Sequence, residues 1–187
     1  LYPGQPREAY LAGYEIACAI QQGYSADMAG VVAAGVAAAL IPDTDAPTVV
    51  NTMMEFAPHS GKALLEATVE LVDKSADMPA FREAYHEKLL IHFLDPGEVV
   101  AAALAGLLLG DGKFEESTLN AANFGRDADS IATIAGALAG ALGGISAIPD
   151  KWIKAVDESR GDEPLQSEMA AGVYQALQNE LTGAREW

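Results

Sequence analysis

The stretch Asn123-Phe124-Gly125-Arg126-Asp127-Ala128-Asp129-Ser130 opens onto a run, Ile131-Ala132-Thr133-Ile134-Ala135-Gly136-Ala137-Leu138-Ala139-Gly140-Ala141-Leu142-Gly143-Gly144, without a single charge. Apolar on every side as far as Ile148, the run reaches only the lower limit of transmembrane length, and Gly136, Gly140, Gly143 and Gly144 break it. In water it reads as a buried Gly/Ala-rich central helix whose Gly-xxx-Gly spacing lets neighbouring backbones come close. A second apolar stretch, Val99–Leu109, is too short to span a bilayer. A helix buried all round needs other helices about it.

The rest of the chain supplies them. Ala-rich segments alternate with short Pro, Gly and Asp turns, and no stretch alternates in the manner of a strand. Helices are expected at Pro6–Gln21, Ser25–Leu40, Ala46–Phe56, Ser60–Lys74, Met78–His92, Pro96–Leu109, Glu115–Ala122, Asp127–Leu142, Pro149–Val156 and Glu163–Leu181. Ile41-Pro42-Asp43 stops one helix, and Asp43 or Asp45 can cap the next. Asp95-Pro96 sets Pro at a first helical position, and Gly110-Asp111-Gly112 makes a turn. No linker divides residues 1–187, so one all-α domain is expected: a compact multi-helix bundle.

Composition bounds the function. The 187 residues are 50% hydrophobic and 20% charged, with a mean hydropathy of +0.12, which suits a packed core rather than disorder. Eleven Lys and Arg against 27 Asp and Glu give a net charge of −16. Such a surface repels phosphate backbones and anionic lipid, so neither nucleic acid nor a membrane is an expected partner. The single cysteine, Cys18, allows no internal disulfide and no Cys-based zinc cluster, in keeping with a reducing, cytoplasmic setting. The chain begins at Leu1, and Tyr2-Pro3-Gly4-Gln5-Pro6-Arg7-Glu8 has neither the cationic start nor the apolar run of a signal peptide.

Two carboxylates and a hydroxyl, Asp127, Asp129 and Ser130, stand within four residues at the mouth of the apolar helix. Capping explains one of them, with Asp127 accepting from first-turn amides. It leaves Asp129, which is expected to point toward an apolar core, where an unpaired carboxylate costs several kcal/mol. Hard oxygen donors at this spacing suit Mg²⁺, Mn²⁺ or Ca²⁺, and they can face one point only where the helix is just beginning. Gly125 supplies the backbone freedom for that.

The run Asn123–Gly144, followed by Ile148-Pro149 and Trp152, resembles the C-terminal signature of the ADP-ribosylglycohydrolase family. The resemblance implies an all-α fold, a site for two Mg²⁺ or Mn²⁺ ions, and hydrolysis of the glycosidic bond at C1″ of an ADP-ribosyl or related ribosyl substrate. It places Asp127, Asp129 and Ser130 as metal ligands, with Asp127 and Asp129 carrying the catalytic role, and Asn123, Gly125 and Arg126 beside the bound ribose. Arg126 departs from the pattern, since many members have Gly there. Its guanidinium can meet a diphosphate or pair with a neighbouring carboxylate. The family's N-terminal Thr-Asp-Asp motif is absent, and Asp43-Thr44-Asp45 reads as caps instead. This chain is therefore expected to be the C-terminal portion of a larger enzyme, completed by an N-terminal fragment. The alternative is a non-catalytic ADP-ribose-binding or structural relative that has lost part of the site.

Other residues carry bland readings. His59, His86 and His92 lack helical metal-pair spacing and read as surface or partly packed. Gln21-Gln22 stands where the family often has a His. Cys18 reads as core, Arg160-Gly161-Asp162 as a chance loop, and Tyr2, Tyr10, Tyr14 and Tyr24 as aromatic core.

Overall fold

The computed structural model describes residues 2–89, 95–160 and 166–183. Among them are ten α-helices and no strand: α1 (Pro6–Ala17), α2 (Tyr24–Ala39), α3 (Ala46–Phe56), α4 (His59–Val72), α5 (Met78–Lys88), α6 (Pro96–Leu109), α7 (Phe114–Phe124), α8 (Ala128–Gly143), α9 (Asp150–Arg160) and α10 (Gln166–Gly183). The all-α expectation holds, and α3 and α6 have the expected bounds. His92, Gly161 and Asp162 lie outside the described residues.

Local chemistry sets the starts. The Asp45 carboxylate accepts from the Thr48 amide at 2.9 Å to cap α3, and Asp77 does the same from Ala80 at 3.0 Å for α5. Asp95 accepts from the amides of Gly97 and Glu98 at 2.8 and 3.2 Å, with Pro96 fixing the first turn of α6. At its other end Gly110-Asp111-Gly112 turns the chain, with Asp111 and Gly112 at φ of 53° and 69°. α1 stops at Ala17 rather than Gln21. Beyond it the chain turns, and Ile20 lies 86% exposed, so no packing rewards another turn of helix. Cys18 is correspondingly exposed and not core.

The chain divides into two units, residues 2–147 and residues from 148 onward. In the second, the Pro149 carbonyl accepts from the amides of Trp152 and Ile153 to start α9, and α10 exposes Met169, Val173 and Tyr174.

In the first unit the helix buried on every side is α6, not α8 as the sequence suggests. From Val100 to Leu107 every residue of α6 is buried. α8 buries one stripe, Ile131, Ala135, Leu138 and Ala139, at helical spacing. Its remaining Ala and Gly residues carry so little side chain that hydropathy cannot tell a buried face from an open one. The tight backbone approach also belongs to α6. A methyl at Gly110 would lie 2.5 Å from the backbone nitrogen of Ser117, whereas one at Gly136 or Gly140 would meet α7 at an ordinary 3.4–3.5 Å. Tyr10 of α1 stacks on Phe56 of α3 with ring centroids 5.6 Å apart and donates its hydroxyl to Asp27 of α2 at 2.9 Å. Tyr10 and Tyr24 pack against the core, while Tyr2 is exposed.

Gly110→Ala should cost about 1–3 kcal/mol in urea unfolding, because the atom it meets is backbone and cannot step aside. Burial, followed by the bond to Asp27, pushes the Tyr10 phenol from 10.0 up to about 12. The folded state thus favours the protonated phenol. Stability from this source is complete below pH 10 and is lost as pH climbs toward about 12. Tyr10→Phe should flatten part of that decline in urea midpoints measured across the window.

Candidate functional site

Three helices begin at one place. Ser25 from the first turn of α2, Pro96 from that of α6, and Asp127 and Ser130 from the start of α8 line a cleft of about 270 Å³, floored by Met28, Val99 and Ile134. The amides at the starts of α2 and α8, which no side chain caps, carry the partial positive charge of a helix start, whereas those of α6 are taken by Asp95. Acidic residues answer it in each first turn: Asp27, Glu98 and Asp129.

Asp127 occupies the N-cap position of α8, but its side chain caps no amide. Its Oδ1 instead accepts the Ser130 hydroxyl at 3.1 Å, so both oxygen-bearing groups sit together on the cleft wall. Asp129 is exposed, contrary to the expectation that it points toward the core. Two residues on a helix diverge by about 200°, and the inward face of α8 is already taken by Ile131 and Ala135. A hydrated carboxylate near the helix start needs no buried cation to be stable.

The loop that delivers Asp127 is short. Asn123 is exposed in the last turn of α7, Gly125 ends that helix at φ 82°, and Arg126 follows at φ 56°. A side chain in the left-handed region is strained, and glycine would be at ease there. Of the two partners the sequence leaves open for Arg126, the structure contains the carboxylate: its Nε donates to Oε1 of Glu98, a residue only 2% exposed. Just before the loop, Phe124 is buried among the rings of Phe81, Tyr85 and His86, at 6.1, 5.4 and 5.6 Å. Arg82 donates to the Asn123 carbonyl at 3.3 Å. His59 and His86 are exposed, as expected.

The Tyr85 hydroxyl and Glu98 Oε2 are buried, with no hydrogen-bond partner among the described residues. Burial, and then the charge of Glu98, pushes the Tyr85 phenol well above its ordinary range; burial and Asp95 raise Tyr24. Sequence reading missed Glu98. The available signal is that it is the one charged residue in the α6 sequence, but a first-turn acid reads as a dipole partner and looks accounted for. A larger cavity, about 640 Å³, lies at the far end of α8 around Lys113, Phe114 and Leu142. At 1.5 Å per residue that is roughly 20 Å from Asp127, and none of the sequence-derived site residues lines it.

Residues 1–183 match the family model for ADP-ribosylglycohydrolase. This chain belongs to the ADP-ribosylglycohydrolase family. Among curated relatives, an ADP-ribosylarginine hydrolase, Tri1, of Pseudomonas putida is 37% identical over 87 residues, which is 46% of this chain and 24% of the relative. An uncharacterized protein of Archaeoglobus fulgidus is 45% identical over 62 residues, 33% of this chain and 18% of that protein. The alignments thus cover about a quarter or less of these relatives. No solved structure matches the chain significantly.

For the metal ions that the ADP-ribosylglycohydrolase family implies, the donors present fit in kind. Asp127 and Ser130 offer hard oxygens at one point of the cleft, whereas Asp129, exposed on α8, is not among the residues that line it. They fall short in number: among the described residues no group of three or more His, Cys, Asp or Glu is placed to hold an ion. Nor, among those residues, is any helix long and apolar enough to cross a membrane.

Arg126→Met should destabilise the fold by about 3–5 kcal/mol, since it strips a buried carboxylate of its cation. Adding Glu98→Met should restore most of the loss. Urea unfolding of the three proteins checks both statements.

Proposed function

We propose that this chain serves a hydrolase that cleaves the glycosidic bond of an ADP-ribosyl substrate, and that the cleft at the start of α8 is its binding site. The observation that carries the reading is Asp127, placed at a helix start yet turned from its capping amides to the Ser130 hydroxyl on the cleft wall. Family membership supports the reaction class. The name of the Pseudomonas relative favours an arginine-linked ADP-ribose among possible substrates.

In this reading Asp127, Asp129 and Ser130 form one side of a site for Mg²⁺ or Mn²⁺, and further ligands come from outside the described residues. A bound divalent ion supplies a water of lowered pKa and a grip on ribose hydroxyls. The chain's own residues do the rest. Ser130 holds the Asp127 carboxylate in one orientation. The uncapped amino ends of α2 and α8 favour the negative charge of a diphosphate. Met28, Val99 and Ile134 exclude water from the apolar floor. Asn123 and Gly125 border the ribose, with Arg126 behind them. Asp127 and Asp129 act as ligands rather than as the acid–base pair of an ordinary glycosidase.

The short donor count among the described residues favours one other reading, a relative that binds ADP-ribose without turnover. Calorimetry separates the two. The hydrolase reading expects Mn²⁺ binding that ADP-ribose strengthens. It also expects Asp129→Asn to weaken Mn²⁺ by about tenfold or more, while moving stability by less than about 0.5 kcal/mol because Asp129 is exposed. ADP-ribose binding that ignores metal would establish the non-catalytic relative, and binding of neither would end both.

A further inference from the structure

We infer that Arg126 and Glu98 are positioning residues that clamp Asp127 into the cleft from behind. The pair joins the two walls on which Asp127 depends. Glu98 lies in the first turn of α6, where Pro96, Val99 and Val100 face the cleft and the Glu98 side chain does not. Arg126 immediately precedes Asp127, the N-cap of α8. Its guanidinium reaches Glu98, and neither residue lines the cleft.

Two features separate this contact from an ordinary surface ion pair. The Glu98 side chain is 3% exposed and that of Arg126 20%, so the pair is little screened by solvent. Arg126 also holds a left-handed backbone, at φ 56°, that glycine would adopt freely. A long side chain tolerated at such a position implies that its far end is fixed by something worth the strain. The α7 end of the loop has its own anchors in Phe124 and in the Arg82 bond to Asn123. The Arg126–Glu98 pair secures the α8 end.

The backbone provides a direct reporter. The Ile131 amide donates to the Asp127 carbonyl at 3.0 Å, the first bond of α8, and can do so only while Asp127 stays at the cap. The test variant is Glu98→Met/Arg126→Gly, which removes both charges together, fills the buried space with an apolar chain and relieves the backbone. The clamp predicts hydrogen exchange at Ile131 about tenfold faster than in the unaltered chain, with exchange at Leu138, buried in the middle of α8, unchanged. Equal protection at Ile131 in both proteins overturns it.

The consequence for ligands rests on the proposed function. There, Mn²⁺ and ADP-ribose affinities of the double variant should fall by about tenfold at an unaltered urea midpoint. A merely structural pair would leave those affinities alone. Should the unaltered chain bind neither Mn²⁺ nor ADP-ribose, the proposed function fails, and the clamp is still decided by Ile131.

Discussion

Ten residues of α6 are buried, from Gly97 to Leu107, and a helix with no wet face has to be enclosed by its neighbours on all sides. Much else follows from that enclosure. α7 approaches so closely that Gly110 has no room for a methyl beside Ser117. α2, α4 and α8 pack around the same helix. Because α6 sits at the centre, its first turn lies beneath the surface, and a charge placed there is buried with it. Glu98 is that charge, and Arg126 answers it from the loop that leads into α8.

The cleft is therefore a by-product of where helices start. Enclosing α6 brings the amino ends of α2, α6 and α8 to one cleft; each carries an acidic residue in its first turn, and those of α2 and α8 also bring amides that no side chain caps. Asp127 differs from the cap residues Asp45, Asp77 and Asp95. Those three turn their carboxylates onto backbone amides, whereas Asp127 leaves its amides and takes the Ser130 hydroxyl. A capping residue that declines to cap is available for something else.

Much of the fold was legible because helix punctuation is local chemistry. Asp45, Asp77 and Asp95 each precede a Pro within the first helical turn, and α3 and α6 begin and end where those signals put them. Depth was not legible. α6 and α8 are both apolar and Ala-rich, yet one is enclosed and the other buries a single stripe, a difference set by packing partners remote in sequence. The same limit governs the site. That Asp127 and Ser130 stand together at a helix mouth was legible from their spacing and from the motif that contains them. Glu98, 28 residues before Arg126, was not, since a sequence shows a first-turn acid without showing what stands over it. The exposure of Asp129 and of Cys18 was missed for the reverse reason: an apolar neighbourhood in sequence does not mean an inward direction in space.

The convergence of three helix starts within so acidic a shell has a kinetic consequence. An anion approaching a chain of net charge −16 is repelled at long range, and feels the attraction of the free amides only within about the last turn of helix. Salt weakens the first force far more than the second, because the Debye length at physiological ionic strength is about 8 Å. Encounter with a phosphate-bearing molecule should thus quicken as electrolyte is added, the opposite of what electrostatic steering normally produces, and the gain should plateau once the outer repulsion is spent.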